Sequence, residues 1–132
     1  MSENTATVVI IEDNELNLKL FHDILEAHQC DVEHTRDARE AIELITDTMP
    51  DLVIMDIQLP FISGEDLIVQ MKDNAVIKHI PVIAVTAFAL EQDRARIMQT
   101  GCEDYMAKPV AIPAFITTLK KYLPNISQAQ FS

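Results

Sequence analysis

Basic residues are scarce in this chain: ten Lys and Arg stand against 21 Asp and Glu, a formal charge of −11 with a pI near 4.6. No Lys/Arg cluster occurs beyond the pair Lys120–Lys121. Nucleic-acid binders carry a basic patch that displaces counterions from phosphates, so that class is excluded. Long apolar runs are missing too. No stretch approaches the roughly 20 residues needed to cross a bilayer, and the opening MSENTA has none of the features of a secretory signal. Cysteine is limited to Cys30 and Cys102, without metal or redox spacing, which points to free thiols in a reducing cytosol. A soluble cytoplasmic protein is expected, with no direct membrane insertion and no nucleic-acid partner.

What is present fits one domain with a real core: 132 residues, 48% hydrophobic and 23% charged. Four short apolar runs recur, TVVII (7–11), LVIM (52–55), VIAV (82–85) and the weaker YMA (105–107), and DVEHT (31–35) alternates like an edge strand. Helical periods separate them. Leu16, Leu20, Ile24 and Leu25 predict one apolar stripe; Ala38, Ala41, Ile42 and Ile45 predict a second, opened by Asp37 as N-cap with Glu40 three residues on. Leu67, Ile68 and Met71 give a third after Ser63–Gly64. Ile112, Phe115, Ile116, Leu119 and Leu123 give the last, with Pro113 in its first turn. The stretch 90–100 reads as a helix with a thin face of Leu90, Ala95, Ile97 and Met98, and so as a candidate mobile element. Strand and helix thus alternate five times, which predicts an α/β fold, a doubly wound parallel sheet covered by helices on both sides. The expected domain spans 6–123, with short tails at 1–5 and 124–132 and no output domain.

In an open parallel sheet, ligands bind beyond the carboxyl ends of the strands. The first strand brings Glu12 and Asp13 there, the third Asp56, the fourth Thr86 and the fifth Lys108. Singly, each has an ordinary structural explanation: acids after strands cap helices, and a lone lysine is usually solvated. Together they form an oxygen-rich, hard-cation site with a hydroxyl and an ammonium group. Carboxylates crowded together repel unless a cation sits between them, and such donors suit Mg²⁺. With the metal present, Asp56 stays ionised and is a plausible nucleophile toward phosphorus, while Lys108 and Thr86 face phosphoryl oxygens.

The set IIEDN, MDIQLPFISG, AVTAFA and AKP resembles the receiver domain of two-component response regulators, over residues 6 to 123. The resemblance implies strand order 2-1-3-4-5, Asp56 as phosphoacceptor, and Mg²⁺ held by Glu12, Asp13, Asp56 and the backbone carbonyl of Gln58. It implies Thr86 and Lys108 at the phosphoryl group, a cis peptide between Lys108 and Pro109, and Tyr105 as the switch aromatic. EDNELNLKLFHDILEA and HIPVIAVTAFA are similar to the DivK group of single-domain cell-cycle and division regulators of alphaproteobacteria. The partners implied are sensor histidine kinases and phosphatases, with a histidine phosphotransferase or a pseudokinase as further candidates, and recruitment to cell poles by membrane kinases. A monomer or a weak phosphorylation-dependent dimer is expected.

Other readings are a stand-alone phosphorelay intermediate, a chemotaxis-type regulator or a degenerate receiver used as a scaffold; all five site residues being present argues against the last. An aspartyl phosphatase of the haloacid dehalogenase type needs a second acid two residues after its nucleophile, where this chain has Gln58. A flavodoxin needs a Ser/Thr/Gly-rich loop where this chain has EDNELN. Docking of the donor is expected at Asn14, Asn17 and Pro109, with Leu16 and Leu20 weaker candidates. Output contacts are expected near Ala89, Leu90, Tyr105 and the final helix. In the family, phosphate lifetime depends on side chains at Gln58 and Phe88, and the bulk of Phe88 predicts slow self-hydrolysis. The histidines 22, 28, 34 and 79 are expected at the surface or rim, and Met55, Met71, Met98 and Met106 in the core.

Overall fold

The computed structural model describes residues 5–87, 90–124 and 126 of the chain. Five strands alternate with five helices: β1 Thr7–Ile11, α1 Glu15–Ala27, β2 Asp31–Thr35, α2 Ala41–Thr48, β3 Leu52–Asp56, α3 Gly64–Lys72, β4 Val82–Thr86, α4 Glu91–Met98, β5 Asp104–Ala107 and α5 Ile112–Tyr122. All pairings are parallel and the sheet order is β2-β1-β3-β4-β5, with Ile10 beside Ile54 and Asp56 beside Val85. β3 and β4 are buried along their whole length because helices cover both faces.

The two-residue period of the strands sorts their side chains into two cores. Val9, Ile11, Val53, Met55, Val82 and Ala84 pack with residues of α2, α3 and α4. Val8, Ile10, Leu52, Ile54, Ile83 and Val85 pack with α1 and α5, where the rings of Phe21 and Phe115 tilt together at 5.2 Å. Helix starts are set by caps: Asn14 accepts from the Asn17 amide at 3.0 Å and Ser63 from the Asp66 amide at 3.1 Å.

Several details differ from the sequence reading. The buried stripe of α1 is Leu18, Phe21, Ile24 and Leu25, whereas Leu16 is 78% exposed. Leu16 lies two residues from buried Leu18, about 200° around the helix, so it faces away from the sheet. Asp37 caps a short 3-10 turn (Ala38–Glu40) that runs into α2, and Glu40 turns back to take the Thr35 hydroxyl at 2.8 Å. Ile112 is exposed, as is Met98; in α4 the buried residue is Ile97. His28 is buried, its Nδ1 2.9 Å from the Ile24 carbonyl near the end of α1, so that ring is a helix-end group and not a surface one. Phe88 and Ala89 lie outside the described residues, as do 1–4, 125 and 127–132.

Candidate functional site

β1, β3, β4 and β5 end at the same edge of the sheet, and their last residues carry the chemistry. Glu12 and Asp56 are both buried, 1% and 3% exposed. Lys108, just after β5, reaches between them: its Nζ lies 3.3 Å from Glu12 Oε1 and 3.3 Å from Asp56 Oδ2. The Lys108–Pro109 peptide is cis. Thr86 is fully buried at the end of β4, and Tyr105 is half-buried on β5.

Each carboxylate is oriented from its other side. Asp56 Oδ1 accepts from the Gln58 amide at 3.0 Å, and Glu12 Oε2 from the Asn14 amide at 3.1 Å. Glu12 Oε1 is different: it has Lys108 as an ionic neighbour, but no donor is aligned to give it a hydrogen bond. Burial first, and then the neighbouring Asp56 carboxyl, push Glu12 up to about 7, against the pull of the Asn14 amide and Lys108. Near neutral pH, therefore, Glu12 holds a proton much of the time. A buried all-oxygen pair that retains a proton where one would expect two charges has the chemistry of a hard-cation site short of positive charge.

Asp13 sits at the rim, its carboxylate exposed and its backbone carbonyl clasped by Arg36 through Nε at 3.1 Å and Nη2 at 2.9 Å. Among the described residues, no three His, Cys, Asp or Glu side chains group closely enough to hold an ion unaided. Backbone carbonyl and water oxygens therefore have to complete any shell that Glu12 and Asp56 begin, as is usual for Mg²⁺.

The loop after β3 is built for close approach. At Gly64 a Cβ would fall 2.7 Å from the Ile57 Cα and still nearer the Asp56 carbonyl, so no larger residue fits beside the Asp56 backbone. Phe61 takes a left-handed φ of 74°, and its ring lies under Arg39, 4.0 Å from the guanidinium. Asp37 holds that guanidinium from the side, at 2.8 Å and 3.0 Å. An open cavity of about 370 Å³ lies between Asp13, Arg36, Asp37 and Phe61.

Of the expected docking residues, Asn14, Leu90 and Pro109 are exposed and Asn17 half-exposed, with the exposed Leu16 beside them. One connection was not visible beforehand. The side-chain oxygen of Gln58 accepts from the Ala87 amide at 3.1 Å, tying the loop after β3 to the loop after β4. The two residues are 29 apart in the chain, and no local pattern marks such a pair.

Comparison with known proteins agrees with this geometry. The response regulator receiver domain family matches residues 8–120. The polar-differentiation response regulator DivK of Brucella ovis is 51% identical over 119 residues, covering 90% of this chain and 97% of that protein. The receiver domain of a sensor histidine kinase from Pseudomonas aeruginosa, which coordinates a magnesium ion in its active-site cleft, superposes with a TM-score of 0.83 at 26% identity, over 92% of this chain and 99% of that one. The receiver domain of a signal transduction histidine kinase from Syntrophus aciditrophicus gives 0.84 at 27% identity, over 97% and 98%. With the family matched over residues 8–120 and a relative 51% identical over 90% of the chain, this chain belongs to the response regulator receiver domains of two-component signalling.

Proposed function

We propose that Asp56 accepts a phosphoryl group from the phosphohistidine of a sensor histidine kinase, and that the chain signals through contacts that depend on that group. The observation that carries this reading is the meeting of buried Asp56 and Glu12 on Lys108, each at 3.3 Å. In the transfer, an Asp56 carboxylate oxygen bonds to phosphorus as the P–N bond to the donor imidazole breaks. The electron pair returns to that nitrogen, and Asp56 is left as an acyl phosphate. Lys108 is placed to turn from pairing two carboxylates to neutralising phosphoryl oxygens, while the Thr86 hydroxyl donates to another.

Glu12, Asp13, Asp56 and the carbonyl of Gln58 are the residues that would hold Mg²⁺, whose charge offsets that of the carboxylates and of the incoming phosphoryl oxygens. The same site confers self-phosphorylation from small phosphodonors and slow self-dephosphorylation. Kinase docking uses Asn14, Asn17 and Pro109. Output uses Leu90 and Tyr105, with Tyr105 following Thr86 toward the phosphoryl group. The similarity to the polar-differentiation response regulators supports an output in control of the cell cycle and division.

Incubation with acetyl phosphate and Mg²⁺ tests the core of the proposal. One hydroxylamine-labile phosphate per chain is expected, absent from Asp56→Asn and lost on chelation of the metal. No label on the wild type would overturn it, and sustained phosphate release would indicate a phosphatase instead.

A further inference from the structure

α1 and the edge strand β2 meet through two imidazoles that the signalling chemistry does not use. His22 Nε2 lies 2.9 Å from His34 Nδ1, with the rings edge to face, their centroids 4.9 Å apart and their planes at 84°. A hydrogen bond is the simplest occupant of that contact, one neutral ring donating its N–H to the other. The spacing also suits a metal. Two nitrogens bound side by side to one Zn²⁺ at about 2.0–2.1 Å stand about 3 Å apart. The donor ring has only to pass its proton, through solvent, to its own other nitrogen; it stays neutral, and both lone pairs can then turn onto the ion.

Two surrounding features favour that use. Glu26 Oε1 is 4.0 Å from His22 Nδ1, on the side of the ring away from His34. At that distance there is no hydrogen bond, but the carboxylate's charge favours a cation bound through the ring. Beside His34 lies a cavity of about 290 Å³ lined by Glu40, Glu43 and Asp47, whose field attracts cations. Arg36 opposes it, but its guanidinium is committed to the Asp13 carbonyl.

We propose that His22 and His34 form a two-histidine site for a divalent transition ion of the Zn²⁺ and Cu²⁺ class, which would staple α1 to β2. Among the described residues no third histidine, cysteine or acid completes the set, so water fills the remaining positions. Imidazole nitrogens select these ions over Mg²⁺, which separates this site from the acidic one at Asp56.

The test is calorimetric titration of the whole chain with ZnCl₂ in excess Mg²⁺, alongside long-range proton–nitrogen correlation spectra of the imidazoles. One Zn²⁺ per chain is expected, with His22 Nε2 and His34 Nδ1 shifting while His28 and His79 stay in place. His22→Asn and His34→Gln should each weaken binding at least about tenfold and leave acetyl phosphate labelling unchanged. No Zn²⁺ uptake, uptake that survives both substitutions, or unmoved ring nitrogens at His22 and His34 would each overturn the proposal. The spectra are read on the wild type, so the answer does not depend on the variants folding.

Discussion

Glu12 is held where its charge is unwelcome, and its stability effect has a definite sign. Its folded value of about 7 lies above the ordinary 4.5, so its contribution is fully present below about pH 4.5 and is lost as pH rises through about 7. Glu12→Gln keeps the shape without the charge. In metal-free protein at pH 8 that substitution should raise stability by about 1–2 kcal/mol, with the gain shrinking toward acid. Urea unfolding with chelator between pH 5 and 8 measures this, and a less stable variant at pH 8 would contradict it. Gln58 offers a second residue-level test. Its side chain holds the Ala87 amide, and a hydrogen bond of this kind is worth about 1 kcal/mol, so Gln58→Leu should speed hydrogen exchange at Ala87 about fivefold. Unchanged exchange would mean that the bond restrains nothing. For thiol reagents the residue scale gives a simple expectation: burial, followed by Asp31 and Asp51, pushes Cys30 up to about 11, which makes it a poor nucleophile at neutral pH.

Among the elements, α3 and β5 are joined at the end of the sheet away from the site by one lysine. Lys72 Nζ donates to the carbonyls of Lys78 and Ile80 at 3.2 and 3.0 Å and meets Glu103 at 2.9 Å, while Glu103 also takes the Val82 amide at 2.7 Å. Lys72→Met strands those acceptors and should cost about 2 kcal/mol in thermal unfolding, with acetyl phosphate labelling of Asp56 unaffected. α4 is the opposite case. Of its eight residues Ile97 is the buried one, so little packing resists a shift. Beryllofluoride with Mg²⁺ should change amide-exchange protection across 90–107, and unchanged protection there would count against α4 and Tyr105 as the moving parts. These elements also show what a sequence reveals. β3 and β4 were legible because burial on both faces leaves an unbroken apolar run, and Asp56 stood out against it. The stripe of α1 was not, since leucines at 16, 18, 20 and 25 allow two helical faces and only packing against the sheet decides between them. Pairs such as Lys72 with Glu103 and Arg36 with Asp13, 31 and 23 residues apart, leave no local trace at all.

For the molecule as a whole, the proposed kinase docking and the proposed phosphoryl chemistry can be tested separately, because Asn17 lies on α1 while Asp56 ends β3 beside Lys108. Asn17→Arg should slow transfer from a cognate kinase at least about tenfold while leaving acetyl phosphate labelling intact. Equal loss in both assays would place Asn17 in the chemistry instead. The four strand ends that carry the five site residues were legible in the sequence because topology alone brings them together; the raised Glu12 pKa was not, since it depends on burial. One property of the architecture bears on how the protein can be handled. Thr7, at the start of β1, bonds Asp51 just before β3, and Tyr122, at the end of α5, bonds Glu103 and Asp104 at the start of β5. Both positions therefore sit at the opposite rim from Asp56, roughly 17 Å away along a five-residue strand. A fluorophore, affinity handle or fused enzyme joined at either position would hang from the back of the sheet, leaving the kinase an open approach to the front.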